Sequence, residues 1–288
     1  MPLLAQNPPA EKALFGALDR AEERVLAEIE RWLREVLARI PWSLPPAALA
    51  RWHPETCRNL SKILADHASR TFRLGRVDGK ALARLARDHK LADYSLPEFN
   101  FDYDAEARVL PVQAIRQMEA RQLVLAGVFE FDLIAGVKKI LVGHLAGVPR
   151  KDAEAEIAGL IQKTRDRASL IVTTETTYAY NRGRLVAFKE SGVDYVRFSA
   201  VMDARTSPQC RSRHGKVMRL DDPDLATNTP PLHGRCRSVL TPVYSRYQPE
   251  LITAEAQDWS QVAPLPKGWR AGGQVPPALP TAPALPEA

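Results

Sequence analysis

Cysteine and histidine are scarce in this chain, three and six among 288 residues. Four of them nevertheless gather in one stretch, as Cys210 with His214 and His233 with Cys236. Ligand pairs a few residues apart, separated by a loop, are how a protein builds a tetrahedral zinc site. Thiolate and imidazole suit the softness of the ion, and short spacing lets one turn present both side chains. Four protein ligands would close the coordination sphere, which makes the expected metal structural rather than catalytic. Two other readings stay open. The thiols can be plain buried side chains beside hydrogen-bonded histidines. Cys210 and Cys236 can also form a disulfide, which a reducing compartment disfavours.

The surroundings of these residues are basic. Residues 194–247 hold nine Arg/Lys against five acids, 9 − 5 = +4 of a whole-chain charge of +6. Arg205, Arg211, Arg213, Lys216, Arg235 and Arg237 are therefore candidates for contact with nucleic acid or a partner protein. Pairing of the same arginines with local carboxylates and carbonyls is the competing reading. Asp203 and Arg205 are two residues apart, so on an extended segment both face one side and can brace the loop. A metal-dependent nuclease or hydrolase, with Asp203 or Glu175 as general base, is the enzymatic alternative. Its acids are scattered and its ligand set already full, whereas catalytic zinc needs an open position. Ser207 with His233 as a nucleophile–base pair lacks the glycine-framed serine turn.

The elements that must position these residues are mostly helical. Over 11–40 the apolar residues Leu14, Leu18, Val25, Ile29, Trp32 and Val36 recur at helical spacing, and Pro41 ends the run. Residues 41–54 read as a proline-punctuated connection. Two helices are expected over 55–74 and 78–91, separated by a break at Gly75–Gly79. Residues 93–110 read as a loop or a short strand pair. Pro111 opens a second long helical region in which Gly127, Gly136 and Gly143 predict a break or kink. An amphipathic segment over 151–164 and a separate helix of about 25 residues after Arg165 follow, the latter ending at Ser191-Gly192. Alternation then predicts a strand over 194–201, and 216–220 and 238–243 read as two more short strands. Three short strands with long loops have little core, so a metal clip would make physical sense there.

The fold class expected is α+β, mainly α. The divisions are a flexible N-terminus (1–10), a helical body (11–150), a small C-terminal module with a short antiparallel sheet and a loop-rich Cys/His region (151–247), and a Pro-rich tail (248–288). The tail reads as disordered or extended, docking through Trp259 and Trp269. With 45% hydrophobic residues the chain can bury a real core, and its sequence pI of about 9.3 permits acidic partners without requiring them. Three cysteines make no disulfide framework, no signal peptide is recognisable, and no apolar run is long enough to span a membrane.

At 150–245 the chain resembles the C-terminal domain of the phage Mu protein F-like family of minor head, or head morphogenesis, proteins. The resemblance is carried by Asp203-x-Arg205-Thr206-Ser207-Pro208-x-Cys210, by Gly215-Lys216, and by Pro230-Pro231-x-His233-x-x-Cys236-Arg237. It is extended by Glu175 in the preceding helix and by Asn181-Arg182-Gly183-Arg184. Three departures stand out: Thr173 where the family usually has Arg, and Ser207 and Ser238 where it often has further cysteines. The resemblance implies a virion protein of the head interior or portal vertex, made in the host cytoplasm. It implies a part in capsid morphogenesis and in DNA packaging or delivery. Its partners would be the portal protein, capsid or scaffold proteins and double-stranded DNA. It implies no enzymatic activity, and Asp203, Arg205, Thr206 and Glu175 would be structural motif residues. Related domains also occur fused to toxin modules, for which a short Pro-rich tail has no room.

Overall fold

The computed structural model describes residues 8–94, 112–267 and 269. The expected helix over 11–40 is α1 (Pro8–Ala38). It starts earlier than the loose N-terminus drawn over 1–10, because prolines in a first turn give up only N–H groups that have no intrahelical partner. Residues 1–7, and most of the loop or strand pair read over 93–110, lie outside the described residues. Helix α2 (Pro46–Arg51) occupies the proline-rich connection.

Three expected helix breaks are absent. The segments on either side of Gly75–Gly79 form one helix, α3 (Leu60–Arg87), capped by Asn59, whose side chain accepts from the Lys62 N–H at 3.1 Å. The second long helix, α4 (Val112–Leu145), runs unbroken through its glycines. The two segments after residue 150 are one 41-residue helix, α5 (Arg150–Glu190). At the expected junction the buried Thr164 hydroxyl donates to the Leu160 carbonyl at 2.8 Å, one turn back, and no proline or glycine interrupts.

The glycines of α3 serve close packing instead. A β-carbon on Gly75 would lie 2.1 Å from the Tyr180 carbonyl oxygen, and one on Gly183 of α5 would lie 2.1 Å from that of Phe72. The two helices therefore cross with backbone nearly against backbone.

Beyond Gly192, which ends α5 at a φ of 68°, the chain forms β1 (Tyr195–Ser199), β2 (Val217–Arg219) and β3 (Val239–Val243). All three lie within the expected strand ranges. The sheet order is β2-β1-β3, antiparallel throughout, with Val196 opposite Met218 on one side and Pro242 on the other. Short helices α6 (Pro208–Arg213) and α7 (Leu225–Asn228) fill its connections.

The core has two large parts. Trp32, Leu33, Leu64, Phe129, Leu133 and Val172 centre the helical body. Leu82, Phe188, Phe198, Leu232, Cys236 and Leu240 centre the C-terminal lobe. Both α3 and α5 contribute to each, so the boundary drawn at 150/151 falls on the first turn of a helix that the two parts share. Of the tail, residues 248–267 and 269 are described, and the remainder lies outside the described residues. The described part forms a 3-10 turn (Pro249–Leu251) and α8 (Ala254–Gln257). Trp259 Nε1 donates to the Val217 carbonyl at 3.0 Å, and Trp269 Nε1 to that of Pro231 at 3.2 Å. Both indoles thus dock the described part of the tail, as expected of them. Among the described residues no helix is long and apolar enough to cross a membrane.

Candidate metal centre

Ser207 caps α6, its side chain accepting from the Cys210 N–H at 3.2 Å, and Pro208 occupies the first helical turn. This places Cys210 on the inner face of α6, buried against the lobe core. The second half of the site is carried by 233–240, a segment docked along one face of α5. The Arg235 N–H donates to the Thr174 hydroxyl at 3.2 Å, and the Thr177 hydroxyl donates to the Cys236 carbonyl. Asn181 Nδ2 donates to the Ser238 carbonyl at 3.2 Å, while its Oδ1 accepts from the Leu240 N–H at 2.9 Å. Thr174, Thr177, Asn181 and Arg184 follow at intervals of three and four, one face of a helix. The motif on α5 and the motif around Cys236 thus hold each other.

Cys210, His233 and Cys236 converge, with their donor atoms all within 4.8 Å of one another. The two sulfurs are 3.6 Å apart, and Cys210 Sγ lies 3.2 Å from His233 Nε2. A tetrahedral ion with sulfurs at about 2.3 Å would hold them about 3.8 Å apart, so this donor set fits zinc. His233 Nδ1 lies 2.8 Å from the Gly234 carbonyl. A proton on Nδ1 satisfies that bond and leaves the Nε2 lone pair for a ligand, the usual arrangement of a metal-binding histidine.

Without an ion the group shares protons. Hydrogen bonding from the Cys236 thiol, aided by His233, Ser238 and Ser207, lowers the Cys210 pKa. Burial and the neighbouring Cys210 raise that of Cys236, and Cys210 raises that of His233.

His214 does not join the three. Its Nδ1 accepts from the Ala200 N–H at 3.1 Å, beside the end of β1, and burial lowers its pKa. The structure also brings Ser207 and Ser238 to the Cys210 sulfur, and these are the two positions at which the resembled family often has cysteine.

The basic residues are mostly turned to internal work. Arg237 makes two hydrogen bonds to Asp203, at 2.9 and 2.8 Å. Arg211 donates to the Asp203 carbonyl at 3.2 Å, and Arg205 lies 3.7 Å from the Asp203 carboxylate. The Asp203 N–H donates to the Thr206 hydroxyl at 2.8 Å, so the Asp-x-Arg-Thr run is a self-braced loop. Arg213, 3% exposed, donates to Asn228 Oδ1 at 2.9 Å and to the Ala263 carbonyl at 2.8 Å. Lys216 Nζ donates to the Glu255 carbonyl at 2.8 Å. Arg235 is exposed. Glu175 points away from the lobe and accepts from Arg121 Nε and Gln122 Nε2, both at 2.7 Å, tying α4 to α5.

One buried network is invisible to sequence reasoning about charge. Asp78 and Arg184 form an ion pair with both side chains at 0% exposure. The carboxylate also accepts from the Tyr94 and Tyr180 hydroxyls, each at 2.5 Å, and Arg184 donates to the Leu240 carbonyl at 2.8 Å. Asp78 lies among the buried positions of α3, where a lone carboxylate implies a buried cation nearby; that is the only signal the sequence carried.

Taken together these features define a mainly helical protein whose two longest-shared helices end in a small, locally clipped α+β lobe. Residues 138–241, which include β1, β2, the first three residues of β3 and all three converging ligands, match the sequence model of the family described as Phage Mu protein F like protein. This is the family that the motifs resemble. It is a structural family of phage head morphogenesis, not an enzymatic one. The match points to a head morphogenesis role in the virion, in association with other capsid components. No curated protein and no solved structure matches the chain.

Proposed function

We propose that this chain is a phage minor head protein that acts in capsid morphogenesis at the portal vertex and contributes to DNA packaging or delivery, assembling in the host cytoplasm. The observation that carries the reading is the coincidence of the family match with the lobe: the matched residues include α5 and the three donors that converge against it. A rigid lobe on a long shared helix is suited to docking, because little order has to be gained on binding. Arg205, Arg211 and Arg235 are among the exposed cations of the lobe, and they would face the portal protein or duplex DNA. Cys210, His233 and Cys236 would hold a zinc through three side chains rather than the four expected, leaving its fourth position to another ligand, and the ion would cross-link α6 to the 233–240 segment when bound.

The test is co-expression of the full-length chain with the portal protein of the same phage, followed by size-exclusion chromatography and elemental analysis. Co-elution that is lost in an R205E/R211E/R235E variant, with one zinc per chain that is lost in Cys236→Ser, is the expected result. Absence of the chain from purified virions would overturn the head reading. A metal-free protein as stable as a zinc-supplemented one would overturn the clip.

A further inference from the structure

Away from the lobe, α1 and α3 form the walls of a groove of about 970 Å³. The helices run antiparallel: Leu14 and Leu18 at the start of α1 pack with Leu74 of α3, while Arg58, just before α3, pairs with Glu35 near the end of α1. Six cations line the groove, Arg20, Arg24, Arg31, Arg58, Lys62 and Arg70, against two acids, Glu28 and Asp66. Arg31 and Arg58 are paired with carboxylates of α1. Arg20, Arg24 and Lys62 have no carboxylate partner among the described residues. On α1 the arginines fall at i, i+4 and i+11, which a helix places on one face over about 16 Å, or three turns.

Between the cationic rows the surface is small and apolar: Ala17, Ala21 and Ala27 of α1 and Ile63 of α3 line it. At the bottom, His67 Nε2 lies 2.8 Å from the Thr176 hydroxyl of α5. The hydroxyl of Thr71, 3% exposed, has no hydrogen-bond partner among the described residues. Burial, then Arg24 and Arg70, lower the His67 pKa to about 4, so the positive potential of the walls is felt inside the groove.

We propose that this groove is the docking site for an acidic amphipathic helix of a partner protein, about three turns long. Its carboxylates would lie along Arg20, Arg24 and Lys62, and its apolar edge on the alanines, which let a helix backbone approach closely. Three observations favour a helix over a nucleic-acid strand. No Phe, Tyr or Trp side chain among the described residues lines the groove, whereas proteins that grip single strands stack bases on such rings. The alanine floor rewards an apolar partner edge that a phosphate backbone does not have. The length of the cationic row matches a few helical turns, the mode in which amphipathic helices fill grooves between helices. The assignment is independent of the head-assembly reading, which concerns the lobe.

The test uses the full-length protein and four fluorescent probes: a synthetic helix with leucine on one edge and glutamate elsewhere, the same composition scrambled, a single-stranded oligonucleotide and a duplex. Expected are salt-sensitive binding of the designed helix and at least about tenfold weaker binding of the scramble, a difference of about 1.4 kcal/mol. R20E/R24E/K62E should weaken the helix at least about tenfold. The exposed A27W, which obstructs the floor without changing charge, should do the same while circular dichroism stays unchanged. Equal binding of helix and scramble, no binding of the helix, or tighter oligonucleotide binding that the triple variant abolishes would each overturn the proposal.

Discussion

In the C-terminal lobe Arg213 is almost wholly buried and donates to Asn228 and to the Ala263 carbonyl, and Arg237 grips Asp203. In the α1/α3 groove Arg20, Arg24 and Lys62 have no carboxylate partner among the described residues and face the groove. Both regions look basic in the sequence. The lobe looks more so, since it holds most of the net charge, yet its cations are largely committed to holding loops together. A cluster of arginines along the chain therefore says little about where an anion can bind. The useful quantity is the number of guanidinium groups left over after the fold has satisfied its own carbonyls and carboxylates.

Arg184 is the extreme of commitment, and Asp78→Ala tests it. The variant leaves a guanidinium at 0% exposure without its counter-charge and the Tyr94 and Tyr180 hydroxyls without their acceptor. Breaking one side of such a pair costs about 3–5 kcal/mol, read as a lower urea midpoint. A loss below about 1 kcal/mol would place Asp78 with surface residues and erase the contrast.

His67 probes the other region from inside. Its pKa falls from 6.5 to about 4 on folding, so between these values the unfolded chain binds the proton and the fold does not. The stability from keeping His67 neutral is full above pH 6.5 and is lost as pH falls towards 4, by on the order of 3 kcal/mol. Urea titrations across that window should show the slope, and His67→Gln should flatten it. An unchanged slope would mean that burial and the nearby arginines do not hold His67 neutral in the fold.

How much of this was legible beforehand depends on the range of the interaction. The stripes of α1 and of the three strands come from periodicity, which is local, and they were readable. The continuity of α3 through Gly75 and Gly79 was not. A glycine costs a helix about 1 kcal/mol against alanine, and only a partner backbone, far away in sequence, turns that cost into a gain. Gly183 makes this concrete. In an isolated helix Gly183→Ala should stabilise; here it should destabilise by about 1–3 kcal/mol, because its β-carbon meets the Phe72 carbonyl. A thermal melt that rises instead would show the crossing to be looser than the structure has it. In the site, spacing found both thiols and both imidazoles but could not say which way each ring turns. His233 faces Cys210, while His214 is held by the Ala200 N–H. The docking of Trp259 and Trp269 was readable too, but not the Val217 and Pro231 carbonyls that receive their N–H groups.

The smallest expected effect is the most discriminating. Arg24→Glu removes a cation that holds no carboxylate in the fold, so stability should change by less than about 0.5 kcal/mol. The sign should favour the variant, because reversing one charge among six like charges relieves their repulsion. Arg213→Ala should instead lose stability, since it leaves Asn228 Oδ1 and the Ala263 carbonyl without their donor. Measured side by side in low salt, the two variants separate arginines that build the fold from arginines left over by it. A clear loss for Arg24→Glu would mean that the groove's cations also hold the helices in place, and the row would then have a structural reason to exist without any partner.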